Sequence, residues 1–147
     1  MQKKVVDLGI HKPSAPYSYA IRCGDLIFTA GIMSTDLVSG EPLPGDMEFQ
    51  TKKVLENMKM ILEKCGTSLN NVIKTTVFLR SFDDYSTMNR VYERYFPEEH
   101  PARSTIEVSR LALGSSVEIE AIAVISQSGN QTIARALHRP HDKLEVC

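Results

Sequence analysis

Residues 117–125 limit the folds open to this chain more than any other stretch. Read as a strand, Val117-Glu118-Ile119-Glu120-Ala121-Ile122-Ala123-Val124-Ile125 puts Val117, Ile119, Ala121, Ala123 and Ile125 on one side and Ile122 and Val124 on the other, because side chains alternate along a strand. Apolar residues on both sides require both faces to leave water. Any fold for this chain has to cover this strand twice.

The rest of the chain offers elements for one of those covers. Tyr19-Ala20-Ile21-Arg22 and Leu26-Ile27-Phe28-Thr29-Ala30 are β-type runs around Cys23-Gly24-Asp25. Gly-Asp between such runs signals a two-residue hairpin turn, with glycine supplying the positive φ. Residues 35–46 read as loop, since Ser39-Gly40, Pro42, Pro44 and Gly45 interrupt any regular element. From 47 to 65 the period changes. Met47, Val54, Leu55, Met58, Ile61, Leu62 and Cys65 fall at helical spacing, and Gly66 stands where a helix C-cap is expected.

Asn70-Asn71 leads into the β-branched run 72–79, which reads as a strand. A second amphipathic helix is predicted near 83–96, with Tyr85, Met88, Tyr92, Tyr95 and Phe96 on its apolar face and Pro97 ending it. Strands at 104–108 and 117–125 close the core. In the order β-β-α-β-α-β-β, the opening hairpin and the closing pair imply antiparallel neighbours. The expectation is a two-layer α+β domain, a mixed sheet with two helices on one face. No helix remains for the other face, which predicts that another subunit covers it.

Composition removes several function classes. With 147 residues the chain fits one domain, and 17 basic against 18 acidic side chains leave a net charge of −1, no electrostatic footprint for nucleic acid. No apolar run approaches the roughly 18–20 residues of a membrane span. The first residues, Met1-Gln2-Lys3-Lys4-Val5-Val6-Asp7, lack a secretory apolar segment. Cys23, Cys65 and Cys147 are odd in number, far apart and without a C-x-x-C pair, which argues against a disulfide framework or zinc site. The expectation is a soluble, cytoplasmic protein with free thiols.

The chemistry-bearing residues concentrate in Pro101-Ala102-Arg103-Ser104-Thr105-Ile106-Glu107-Val108 and in the 117–125 strand. Arg103 stands at a loop-to-strand junction. Glu120 alternates onto the face of Ile122 and Val124, where a carboxylate is costly unless paired or hydrogen-bonded. Two readings stay open. One is a structural Arg103–Glu120 ion pair. The other is an anion site, with Arg103 offering its planar fork to a substrate carboxylate and Glu120 orienting or deprotonating a water.

These segments, with Ala15-Pro16-Tyr17, Thr29-Ala30-Gly31 and Asn89-x-x-Tyr92, resemble the RidA (YjgF-type) imine/enamine deaminase family over most of residues 12–126. The resemblance implies a chorismate-mutase-like homotrimer with sites in clefts between subunits, a domain over 1–126 and an extension over 127–147. It implies hydrolysis of 2-imino acids such as 2-iminopropanoate and 2-iminobutanoate to 2-oxo acids and ammonia, with no cofactor and no metal. Arg103 matches the arginine that grips the substrate carboxylate, and Glu120 the carboxylate associated with the hydrolytic water. Tyr17, Ala30, Gly31, Asn89 and Thr105 match pocket-lining positions. Many relatives carry Cys where this chain has Thr105, and often Ser where it has Ala30. A missing hydroxyl at Ala30 is expected to weaken a pocket hydrogen bond by roughly 0.5–1.5 kcal/mol.

Other constellations are weaker. His138-Arg139-Pro140-His141 has an H-x-x-H spacing, but the proline disfavours a helical face and no third ligand is evident. His100 reads as a loop residue. The chain has neither G-x-x-x-x-G-K-[ST] nor G-x-G-x-x-G. The aromatic residues of the second helix read as core rather than as a base-stacking platform. Residues 132–137 of the extension read as exposed, or as an element packing on a neighbour. Two further functions compete with the hydrolase. One is a non-catalytic trimer that binds small carboxylates or acts as a chaperone-like regulator. The other is a translation-inhibiting ribonuclease, which the charge balance disfavours.

Overall fold

Gly24 takes φ 62° and closes a two-residue turn, so that β2 (Ala20–Cys23) pairs antiparallel with β3 (Leu26–Thr29), Cys23 opposite Leu26. The hairpin is the one the Gly-Asp pair predicts. A computed structural model describes residues 2–125. The 127–147 extension, with Cys147, His138 and His141, lies outside the described residues.

The first helix, α1 (Met47–Lys64), begins where the Asp46 side chain accepts the Phe49 backbone N–H at 2.8 Å. It ends in a Schellman turn. Gly66, at φ 80°, donates to the Glu63 carbonyl, and Thr67 donates to that of Leu62. Strand β4 (Val72–Leu79) follows. A short 3₁₀ turn, Phe82–Asp84, leads into α2 (Tyr85–Tyr95). Strands β5 (Ala102–Glu107) and β6 (Val117–Val124) complete the core.

One strand escaped the sequence reading. β1 (Lys3–Val5) pairs antiparallel with β2 at the sheet edge. Its three residues are exposed, so it carries no alternation of buried and polar positions by which to recognise it.

The six strands lie in the order β1-β2-β3-β6-β4-β5. β4 and β5 are parallel, and every other neighbouring pair is antiparallel. This corrects the expected closing pair: β5 and β6 are not neighbours. A helix between two parallel strands makes a crossover, and α2 carries the chain from β4 to β5 in this way. The loop after β5 then returns the chain, and β6 fills the gap between β3 and β4. β6 is thus hydrogen-bonded on both edges, in the interior of the sheet.

Both helices cover one face, as expected. Val117, Ile119, Ala121 and Ala123 of β6 are buried there with Val54, Leu55 and Met58 of α1. On the other face Ile122 and Val124 are only half-buried, and Phe28 and Ile106 are 38% and 45% exposed. No described helix covers that face.

Candidate active site

Consecutive residues of β4 sort the site. Thr75 lies opposite Arg103 on one side and Ala121 on the other, while Thr76 lies opposite Ser104 and Glu120. Neighbouring residues of a strand point to opposite faces. Arg103 is therefore on the helix face and Glu120 on the open face, with the sheet between them. The structural Arg103–Glu120 pair within one chain is thereby overturned: the register of these strands puts the two side chains on opposite faces.

The Arg103 side is built by α2. Thr75 and Tyr92 share a buried hydrogen bond of 2.7 Å, which fixes the Tyr92 ring. The Arg103 guanidinium lies over that ring, 4.7 Å from its centroid, where the face of the π system attracts a cation. Arg103 Nη2 donates to the Tyr85 hydroxyl at 3.2 Å. The Tyr85 ring stacks on Phe82, 5.4 Å away and 9° from parallel. A hydrogen bond from Asn89 and the charge of Arg103 lower the Tyr85 phenol pKa below its ordinary value. Asn89 Oδ1 is buried and lacks a hydrogen-bond partner among the described residues. A cavity of 380 Å³ opens over this group, lined by Asn89, Tyr92, Glu93, His100, Pro101 and Arg103. Among the described residues no carboxylate pairs with Arg103. Thr105, opposite Val77, shares the Arg103 side of β5.

The Glu120 side is assembled differently. A cleft of 300 Å³ is lined by Phe28, Thr29, Lys74, Thr76, Glu120 and Ile122. Lys74 donates to Ser104 at 2.8 Å and forms no ion pair with Glu120. Paired backbone bonds between Ile32 and Ile119 bring Gly31 against β6. A Cβ on Gly31 would meet the Glu118 carboxylate, so any larger residue there has to displace that side chain. Burial, and then the nearby charge of Glu120, push the Glu118 carboxyl pKa up.

Two residues on the expected pocket list stand near the N-terminal segment. Tyr17 is half-exposed, meets Tyr19 edge to face at 5.9 Å, and lines a 380 Å³ cavity with His11 and Lys12. Ala30 donates its backbone N–H to the Tyr19 carbonyl at 2.9 Å. The local hydroxyl comes from Thr29, which accepts from Ala121 N–H and donates to the Ala30 carbonyl, both at 2.9 Å.

Sequence reasoning missed Tyr85 and Glu118. Tyr85 was assigned to the core by its helical spacing, yet its hydroxyl faces Arg103 and the ring is only partly buried. Glu118 shares the alternation that singled out Glu120, so the signal for it was present. Among the described residues no three His, Cys, Asp or Glu side chains are grouped to hold a metal ion. Among the described residues no helix is long and apolar enough to cross a membrane.

The family model described as Endoribonuclease L-PSP matches residues 9–125. A RutC family protein of Pyrococcus abyssi is 51% identical over 112 residues, 76% of this chain and 88% of the relative. The 2-iminobutanoate/2-iminopropanoate deaminase of Mus musculus is 42% identical over 109 residues, 74% of this chain and 81% of the relative. The crystal structure of Escherichia coli TdcF with bound serine superposes with a TM-score of 0.76 at 35% identity, covering 84% of this chain and 99% of that one.

Proposed function

Because the chain belongs to the Endoribonuclease L-PSP family of RidA (YjgF-type) proteins, we propose that it hydrolyses 2-imino acids such as 2-iminopropanoate and 2-iminobutanoate to 2-oxo acids and ammonia. The observation that carries this reading is Arg103: a guanidinium placed over the Tyr92 ring, bonded to Tyr85, facing an open cavity and without a carboxylate partner among the described residues. Such a fork suits a small carboxylate ligand. The mouse deaminase supports the activity. The serine in TdcF supports a small carboxylate as the class of ligand.

In this reading Arg103 holds the substrate carboxylate and fixes the imine carbon. Glu120 accepts a proton from a water as its oxygen adds to that carbon, and the C=N bond becomes a C–N bond. In the resulting carbinolamine Glu120 returns that proton to the nitrogen, the C–N bond breaks to release ammonia, and the hydroxyl gives up its own proton as the C=O bond of the 2-oxo acid forms. Placement of charge and orientation supply the rate. Since Arg103 and Glu120 of one chain lie on opposite faces, the site needs both halves from different copies. A homotrimer whose subunits set one copy's Arg103 side against the next copy's open face meets that need, and it also covers Phe28, Ile106 and Ile122. The free thiols of Cys23 and Cys65 suit a reducing cytoplasm.

An amino-acid oxidase that generates these imines, with semicarbazide to trap them, provides the test. The protein should lower semicarbazone formation, and Arg103→Ala should not. Arg103→Ala as active as wild type would remove the assignment. The bound serine of TdcF also favours a second reading, a trimer that binds small carboxylates without turnover. That reading holds if the wild type binds 2-oxobutanoate but leaves imine hydrolysis at the uncatalysed rate.

A further inference from the structure

Tyr85, Asn89 and Tyr92 stand at i, i+4 and i+7 of α2, so they share the helix face that looks at Arg103. A phenolic oxygen offers two lone pairs and one proton. One lone pair of Tyr85 is engaged by Arg103 Nη2 at 3.2 Å, and Asn89 beside it, followed by the charge of Arg103, lowers the phenol pKa. The proton has no acceptor among the described residues. The stack on Phe82 fixes the ring, so the hydroxyl is held in place before any ligand arrives. Tyr85 is thus an oriented donor beside the one guanidinium of the cleft.

We propose that the Tyr85 hydroxyl is a substrate-binding donor, which takes one oxygen of the ligand carboxylate while Arg103 takes the other. The inference rests on the reading of Arg103 as the carboxylate anchor and extends it to a residue outside the expected pocket list. A carboxylate has two acceptor oxygens, and a donor beside Arg103 lets both be satisfied at once. The hydrogen bond that Tyr85 accepts from Arg103 makes its proton more acidic, which strengthens its bond to a carboxylate. Tyr85 then contributes to the preference for an acid over its amide, because a carboxamide presents a single carbonyl oxygen and an N–H₂ group to the same two donors.

Calorimetric titration of the assembled protein with 2-oxobutanoate tests this. Tyr85→Phe keeps the ring and the Phe82 stack and should weaken binding about tenfold, the loss of one charge-assisted hydrogen bond. Replacement of Tyr85 by 3-fluorotyrosine separates donation from mere support of Arg103. Fluorine makes the phenol a better donor and a poorer acceptor, so near neutral pH it should tighten 2-oxobutanoate binding. Unchanged affinity in Tyr85→Phe would overturn the proposal. Weaker binding with 3-fluorotyrosine would overturn it too, leaving Tyr85 only as a support for Arg103. If the wild type fails to bind 2-oxobutanoate, or Arg103→Ala binds it equally well, the anchor reading falls and this inference falls with it.

Discussion

The two sides of the sheet at Thr75 and Thr76 solve opposite electrostatic problems. On the Thr75 side a cation is held by groups that carry no formal charge: the Tyr92 face, the Tyr85 hydroxyl and a buried Thr75–Tyr92 bond behind them. On the Thr76 side two carboxylates, Glu118 and Glu120, share one face and repel each other. Glu93 lines the cavity of Arg103 and Lys74 the cleft of Glu120, but among the described residues neither makes an ion pair there. In the proposed trimer, the Arg103 side of one copy would meet the Glu118 and Glu120 side of the next, a heterologous ring contact. Each half is incomplete in a single copy, and the incompleteness has opposite sign.

The strongest way to break this comparison is to remove one charge at a time. Arg103→Ala and Glu120→Gln should each lower kcat/KM by about 10²–10⁴-fold, the range for a lost transition-state donor or a lost general base. Both should retain the wild-type circular dichroism spectrum, since neither residue is in the buried core. Glu120→Gln should still bind 2-oxobutanoate, and Arg103→Ala should not. The next effect is a recovery. If, as proposed, a site takes Arg103 from one copy and Glu120 from another, chains of the two inactive variants, denatured together and refolded, should regain about one quarter of wild-type activity. A mixture that stays inactive would mean that each chain must carry both residues.

Much of this arrangement was legible before the structure. Gly24-Asp25 defines the hairpin, and the period change at Met47 defines α1. The two-sided apolar run at 117–125 requires cover on both faces, and two helices can supply only one of them. What the pattern does not encode is strand order. Hydrophobic period shows which face of a strand is buried but not which strand lies beside it, so β5 and β6 were taken as partners when β4 lies between them. The same gap hid the fact that Arg103 and Glu120 face opposite ways, since that depends on register with Thr75 and Thr76 and not on either residue's own segment. Tyr85 was hidden for another reason. A tyrosine at helical spacing looks like core, and the direction of its hydroxyl depends on a strand 18 residues away.

A smaller effect separates the two sides by stability. Thr75 is fully buried and its hydroxyl is bonded to Tyr92. Thr75→Val leaves the Tyr92 hydroxyl buried without that partner, so it should cost about 1–3 kcal/mol in urea unfolding. Turnover should fall only a few-fold, because Tyr92 loses the bond that fixes its ring under Arg103 but keeps its place. Thr76→Val, one residue on and facing the open side, should change stability by less than about 0.5 kcal/mol. Equal costs at the two positions would mean that the open face is as tightly packed as the helix face.

The smallest effect tests the repulsion on the carboxylate side. Glu118 is half-buried, with Gly31 against its carboxylate, and burial followed by the charge of Glu120 raises its pKa. A carboxyl that holds its proton more tightly in the folded state than in the unfolded one makes stability fall as pH rises from the ordinary glutamate value, about 4.3, through the raised one. Glu118→Gln removes that ionisation. The variant should melt above the wild type at neutral pH, and the two melting temperatures should converge once the pH falls below the ordinary glutamate range. The opposite result, a variant less stable than wild type at neutral pH, would mean that a cation from another copy reaches Glu118 in the assembly. The two sides would then differ in what completes them: a small carboxylate at Arg103, and at Glu118 the protein itself.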